Sequence, residues 1–259
     1  MSLLFIWLRN EINSGFIGSI SLTLFKIVAF MAFTHFLDSF NQQLSKFDGI
    51  PSLMLRLYLA PVFIIAGYSK MQFGNPDVSG LAVFMANPDI VNWFGNAEWG
   101  LGLPFPSLLA NLAAWTEFFG GFLLVIGLFT RLISLPLMFT MFIAATSVHL
   151  DNGWFAITPT NPDTSPAKAV SWLGFDAAEK SLENSKSTVN KLNRMKSILE
   201  ENGNTEWLYE NGNIVVLNNG IEFATTYFIM LLALFFIGAG RYTSVDHFIV
   251  GKFKNTKET

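Results

Sequence analysis

The chain has 259 residues, of which 51% are hydrophobic, 15% aromatic and only 14% charged, with a net charge of −3. Soluble domains carry roughly 25% charged residues, so disorder is excluded, a freely soluble enzyme is disfavoured, and there is no basic footprint for nucleic acid. The absence of cysteine removes disulfides, thiolate metal sites and iron–sulfur ligation.

The first apolar stretch is 12–37, interrupted only by Lys26. It suits a helix that lies on the membrane, with Lys26 and His35 facing outward; a crossing helix is the alternative. No A-x-A-like site follows it, so it does not resemble a cleaved signal peptide. Four later stretches are long enough to cross a bilayer, which takes roughly 20 apolar residues. These are 52–73, 106–128, 132–150 and 221–240. Pro61 and Pro136 fall inside spans, where neighbouring helices can satisfy the freed carbonyls. The loop 71–105 has no Lys or Arg, whereas Lys46, Arg56, Arg131, Arg241 and the tail lysines all sit at the opposite ends of the spans. The distribution of basic residues in short loops sets orientation. It predicts cytoplasmic core termini, with 71–105 and 151–220 facing outward.

Residues 151–220 differ in kind, holding fifteen of the charged residues. Leu182, Val189, Leu192, Met195 and Leu199 recur at helical spacing, which predicts a helix over 176–202. The segments 206–209 and 214–217 flank Asn211-Gly212-Asn213, a β-hairpin signal. A helix and one ribbon are too little to fold alone, so the insert reads as a polar cap on the spans. The expected fold class is therefore an all-α, four-helix transmembrane bundle with a small α+β insert before the last span. It is preceded by an N-terminal membrane helix (1–50) and followed by a short cytoplasmic tail (251–259), with 51–250 as the membrane domain.

A charge inside a span costs roughly 2.5–3.5 kcal/mol on insertion scales, so each needs a partner or a task. Glu117 is the clearest case. It reads either as a proton-relay or ligand-coordinating carboxylate, or as a structural one bonded across the bundle to a hydroxyl such as that of Thr140, or to Arg56 or Lys26. Arg131 lies about 21 Å away by helix rise and is excluded as its partner. Lys70, His149, Asp151 and Glu222 are expected at one membrane face beneath the cap. His149, Asp151 and Glu222 form a candidate copper, zinc or proton site; the alternative is a set of interfacial, capping and helix-dipole groups. Met138, Met141 and Met230 are read as packing residues. Trp93 and Trp154 suit a headgroup belt, or, with Arg56 and Lys70, contacts to a quinone-like cofactor. There is no P-loop, dinucleotide fingerprint, H-E-x-x-H or G-x-S-x-G motif, and hence no complete catalytic constellation.

Arg56-Leu57-Tyr58-Leu59-Ala60-Pro61-Val62-Phe63 with Ala66-Gly67 and Lys70 resembles the first span of DoxX-type membrane proteins. Thr116-Glu117-Phe118-Phe119-Gly120-Gly121 with Gly127 and Thr130-Arg131 is similar to the second. Gly238-Ala239-Gly240-Arg241-Tyr242-Thr243-Ser244-Val245-Asp246 resembles the family's closing motif. Val148-His149-Leu150-Asp151-Asn152-Gly153-Trp154 and Leu217-Asn218-Asn219-Gly220-Ile221-Glu222-Phe223 are similar to the HvfX-like branch, from which Leu150 departs. The resemblance implies a multi-pass protein of a bacterial inner membrane. Its expected role is as an accessory to a partner complex in maturation of copper-binding peptides or in oxidative-stress handling, with a protein partner or a second copy meeting the cap. A quinone-linked oxidoreductase subunit and a small transporter are the alternatives. Copper, a quinone or no cofactor at all remain open.

Overall fold

The computed structural model describes residues 30–47 and 49–249. Most of the stretch 12–37, Lys26 included, and the tail 251–259 lie outside the described residues. Residues 30–44 are helical and exposed, with Phe36 and Phe40 stacked at 6.3 Å. From Gly49 onward the helices are α1 (Gly49–Lys70), α2 (Pro88–Gly95), α3 (Pro106–Ile126), α4 (Thr130–Ile143), α5 (Ala167–Ser171), α6 (Asp176–Asn202), α7 (Thr205–Leu208) and α8 (Glu222–Ile237). No strand forms among the described residues.

The ends of these helices follow their local chemistry. α3 begins with Pro106 in its first turn, where a missing N–H costs nothing. It ends at Gly127, whose φ of +66° admits the paired bonds Gly127 N–H to Leu124 and Leu128 N–H to Leu123. α4 runs on through a π turn, Ala144–His149, and a 3-10 turn, Leu150–Asn152. Among the described residues three helices are long and apolar enough to cross a membrane: one ending at Lys70, Pro106–Ile126, and Thr130–Asn152. The expected fourth, α8, is apolar but only 16 residues long, about 24 Å by helix rise.

Side chains from α1, α3, α4 and α8 share one core of Leu59, Ala60, Phe63, Leu124, Leu137, Met138, Leu231 and Leu234. Outside it the polarity is inverted. Leu108, Phe122, Leu132, Phe139, Ile229 and Phe236 are exposed, while Ser52, Arg56, Asn111, Glu117, Thr130 and Ser134 are buried. Apolar exterior and polar interior suit a lipid bilayer, where polar groups must find partners inside the protein.

α1 and α3 approach unusually closely. A Cβ on Gly67 would overlap the backbone of Phe118, and one on Gly121 would lie 2.6 Å from Ile64 and 3.0 Å from the Ala60 carbonyl. Without side chains at these points the two backbones can pack in contact, the usual device where no hydrophobic effect drives helices together.

The insert corrects one expectation and meets another. α6 spans 176–202 as its periodicity predicts. The hairpin does not form. Asn204 instead caps α7 by accepting from the Trp207 N–H, which takes 205–208 into a helical turn. Its expected partner segment pairs elsewhere, with Leu217 bridging Ile157 and the Thr158 N–H donating to Val216. The Asn-Gly signal is local, and pairing with the chain leaving α4 outcompetes it.

Gly67→Ala should destabilise the protein by about 1–3 kcal/mol, the cost of overpacking a filled contact. Gly74→Ala, at a glycine with open space around it, should be close to neutral. Thermal unfolding of both variants in detergent or nanodiscs checks the difference.

Candidate functional site

Lys70 is the last residue of α1, and the chain after it folds back to hold it. The Lys70 carbonyl accepts from the Asn87 N–H at 2.8 Å, and the Gln72 N–H donates to Val83 at 3.0 Å. This return is fastened to α3 by two side chains. Asn111 accepts from the Ala86 N–H at 2.8 Å, and the Trp115 indole donates to the Phe84 carbonyl at 2.8 Å. Asn111 escaped notice in the sequence because it is uncharged. Its signal was an amide in the first turns of an apolar span.

The glycine contact between α1 and α3 sets Lys70 beside Glu117. The Lys70 ammonium donates to the Glu117 carboxylate at 2.5 Å and to the Ala66 carbonyl at 3.3 Å. The carboxylate side chain is 5% exposed and the ammonium side chain 25%. Arg56 and Thr140 bond other groups: Arg56 the Leu124, Val125 and Thr243 carbonyls, and the Thr140 hydroxyl the Leu137 carbonyl of its own helix. Residues next to the pair in the chain, among them Phe118 and Phe73, belong to a cluster of aromatic rings. Phe73 lies 4.8 Å from Tyr68, 5.0 Å from Phe84 and 5.4 Å from Phe118, and Phe118 touches Phe119 and Phe122. A paired ammonium and carboxylate can exchange a proton or neutralise each other.

Arg56 belongs to the other end of α1, fourteen residues or about 21 Å away by helix rise. Fully buried, it donates to the Leu124 and Val125 carbonyls at 3.1 Å and to the Thr243 carbonyl at 2.8 Å. It thereby satisfies carbonyls left over at the end of α3. Asp246 does the converse for α4, accepting from the Phe129 and Thr130 N–H groups at 2.8 and 3.0 Å. Ser52 donates to the Gly238 carbonyl at 2.6 Å, and the Arg131 guanidinium reaches the Ile237 carbonyl at 3.4 Å. The closing segment after α8 thus stitches the ends of four helices together. Arg56 and Lys70 thus lie toward opposite ends of α1.

His149, Asp151 and Glu222 are not gathered into a ligand set. Among the described residues no group of three or more His, Cys, Asp or Glu side chains is placed to hold a metal. His149 donates through Nδ1 to the Asn219 carbonyl at 2.9 Å, Glu222 accepts from the Ala156 N–H at 2.9 Å, and Asp151 is exposed. They lie along a seam of asparagines that fixes the insert. Asn184 donates to the Asn152 carbonyl at 2.6 Å, and Asn218 donates to the Asn152 and Phe155 carbonyls at 2.8 and 2.7 Å. Trp154 joins the same seam through its backbone, its N–H donating to the Ser181 hydroxyl at 2.9 Å. Trp93 packs edge-on against Phe94, in a separate small core under α2 with Ala86 and Ala110.

Residues 52–150 match the DoxX family model. The match runs from the start of α1 to the end of the π turn and takes in Arg56, Lys70, Glu117 and His149. No curated protein matches the chain, and no solved structure does.

The two members of the ion pair should respond unequally to removal. Lys70→Met strands a buried carboxylate and should cost about 3 kcal/mol, the low end for breaking a buried pair. Glu117→Gln leaves an ammonium that can swing toward solvent and should cost less. The double variant Lys70→Met/Glu117→Gln should recover most of the Lys70→Met loss. A double-mutant cycle on unfolding midpoints reads all three.

Proposed function

We propose that this protein is a multi-pass membrane accessory subunit with a DoxX domain, serving a partner complex in maturation of copper-binding peptides or in oxidative-stress handling. In this reading α1, α3, α4 and α8 all cross the bilayer of a bacterial inner membrane, with the Arg56–Asp246 end cytoplasmic and the insert outside. The 51–250 segment is then one membrane domain capped by 151–220. One observation carries the reading. The ionisable pair within the DoxX match, Lys70 with Glu117, is closed on itself rather than open toward a ligand, as a structural latch or proton-handling pair would be. The motifs at 148–154 and 217–223 that resemble the HvfX-like branch support the assignment to copper-peptide maturation.

The aromatic cluster that includes Phe118, next to Glu117 in the chain, favours a second reading, a quinone-linked subunit. Phe73, Phe84 and Phe118 would flank the ring, and Glu117 would manage its protons. Electrons would come from a partner.

Deleting the gene should lower both copper tolerance and the yield of mature peptide. The wild-type chain should restore both, and Glu117→Gln should restore them only in part. If deletion moves neither, the accessory reading fails. Solvent extraction of the purified protein tests the second reading, which requires about one quinone per chain in the wild type and its loss in Glu117→Gln.

A further inference from the structure

The turn between α5 and α6 presents a cluster of large apolar side chains that no other described residue covers. Trp172 is 88% exposed, Leu173 73% and Phe175 57%. No charge occurs between Lys168 and Asp176. The turn is nonetheless built. Leu173 N–H donates to Val170, Gly174 N–H to Ser171, and Ala178 N–H to Phe175, at 3.0, 2.9 and 2.9 Å. Gly174 reverses the chain at φ +76°. A polar loop would satisfy these bonds equally well, so the turn geometry does not account for three exposed apolar residues at its tip.

The position of the tip narrows what covers it. α6 is pinned to the end of α4 at Ser181, whose hydroxyl accepts from the Trp154 N–H and whose backbone packs against Gly153. Phe175 is six residues before Ser181, about 9 Å along the helix. The headgroup layer is roughly 5–7 Å deep on each side of the hydrocarbon, so this reach is comparable to its depth. Ile157 and Leu217, bridged to each other beside the same helix end, are also exposed. Tryptophan favours this layer, where the ring is buried and the N–H stays wet.

We propose that Trp172, Leu173 and Phe175 form an anchor that dips into the outer leaflet and holds the insert against the lipid surface. The occupant of this patch is the lipid headgroup and upper acyl region. The proposal rests on the membrane reading above. The bonds at Ser181 and Asn184 hold α6 on one side of its first turns; a further contact, at its N-terminal tip, sets how α6 is presented to a partner.

The natural absence of cysteine makes the test direct. Three single-cysteine variants, Leu173→Cys, Phe139→Cys and Lys191→Cys, carry an environment-sensitive fluorophore in nanodiscs. Phe139, 65% exposed on α4, reports the membrane itself, and Lys191 reports the exposed charged face of α6. The expected result is loss of fluorescence with nitroxide lipids at 173 and at 139, and quenching by aqueous iodide at 191. If 139 is quenched by lipid but 173 behaves like 191, the anchor is refuted while the membrane reading stands. If 173 is shielded from both quenchers, a protein covers the patch and the lipid assignment is equally refuted. If 139 itself is not quenched by lipid, the membrane reading fails and takes the anchor with it.

Discussion

Where α1 crosses α3 there is no room for a Cβ at Gly67 or Gly121, and the position of the polar residues follows from that contact. Hydrocarbon offers no hydrophobic drive between helices, so close packing must supply the attraction. Two glycines allow it. With Gly67 against Phe118, Lys70 falls one turn further along α1, level with Glu117 on α3. A wider crossing would part the two charges and leave a carboxylate alone in an apolar interior, a state that costs several kcal/mol. Steric and electrostatic requirements are met by the same few residues.

A second constraint operates at the opposite end. Helices that end inside an apolar body leave carbonyls and N–H groups that water cannot reach. Arg56 serves the carbonyls at the end of α3, and Asp246 serves the N–H groups at the start of α4. Gly127 lies against the Arg56 guanidinium with no room for a side chain, so a single glycine both ends α3 and admits the group that satisfies it. Ser52 and Arg131 perform the same duty for the end of α8. Two of the basic residues at this end, Arg56 and Arg131, are thus structural ligands of helix termini. At the insert, a row of asparagines does comparable work on loop backbone, and His149 and Glu222 each bond backbone there as well.

The long apolar helices were legible in the sequence because hydropathy is a property of each segment by itself. Their limits shift by only a few residues, and α6 emerges where its apolar spacing put it. The hairpin was misread for a related reason. Asn211-Gly212-Asn213 is a local signal, whereas the choice between pairing 214–217 with 206–209 or with 156–158 is made by the chain returning from α4. The site divides in the same way. Glu117 was conspicuous as a lone charge in an apolar run, and Lys70 as a charge at a span end. Arg56 seemed a nearer partner because neither sequence separation nor charge shows which end of a neighbouring helix lies level with a given residue.

The sequence by itself determined the solvent of this protein. Scarce charge, long apolar runs and a one-sided distribution of basic residues are sums over single residues and need no partner to be read. It also determined which side chains would be costly to bury, and so required an explanation for Glu117, Arg56 and Lys70. Tertiary structure alone decided who answers whom: Lys70 for Glu117, the ends of α3 and α4 for Arg56 and Asp246, the Asn219 carbonyl for His149 and the Ala156 N–H for Glu222. Pairing depends on the depth at which two helices cross. Depth here is set by contacts at Gly67 and Gly121 that have no side chain to announce them.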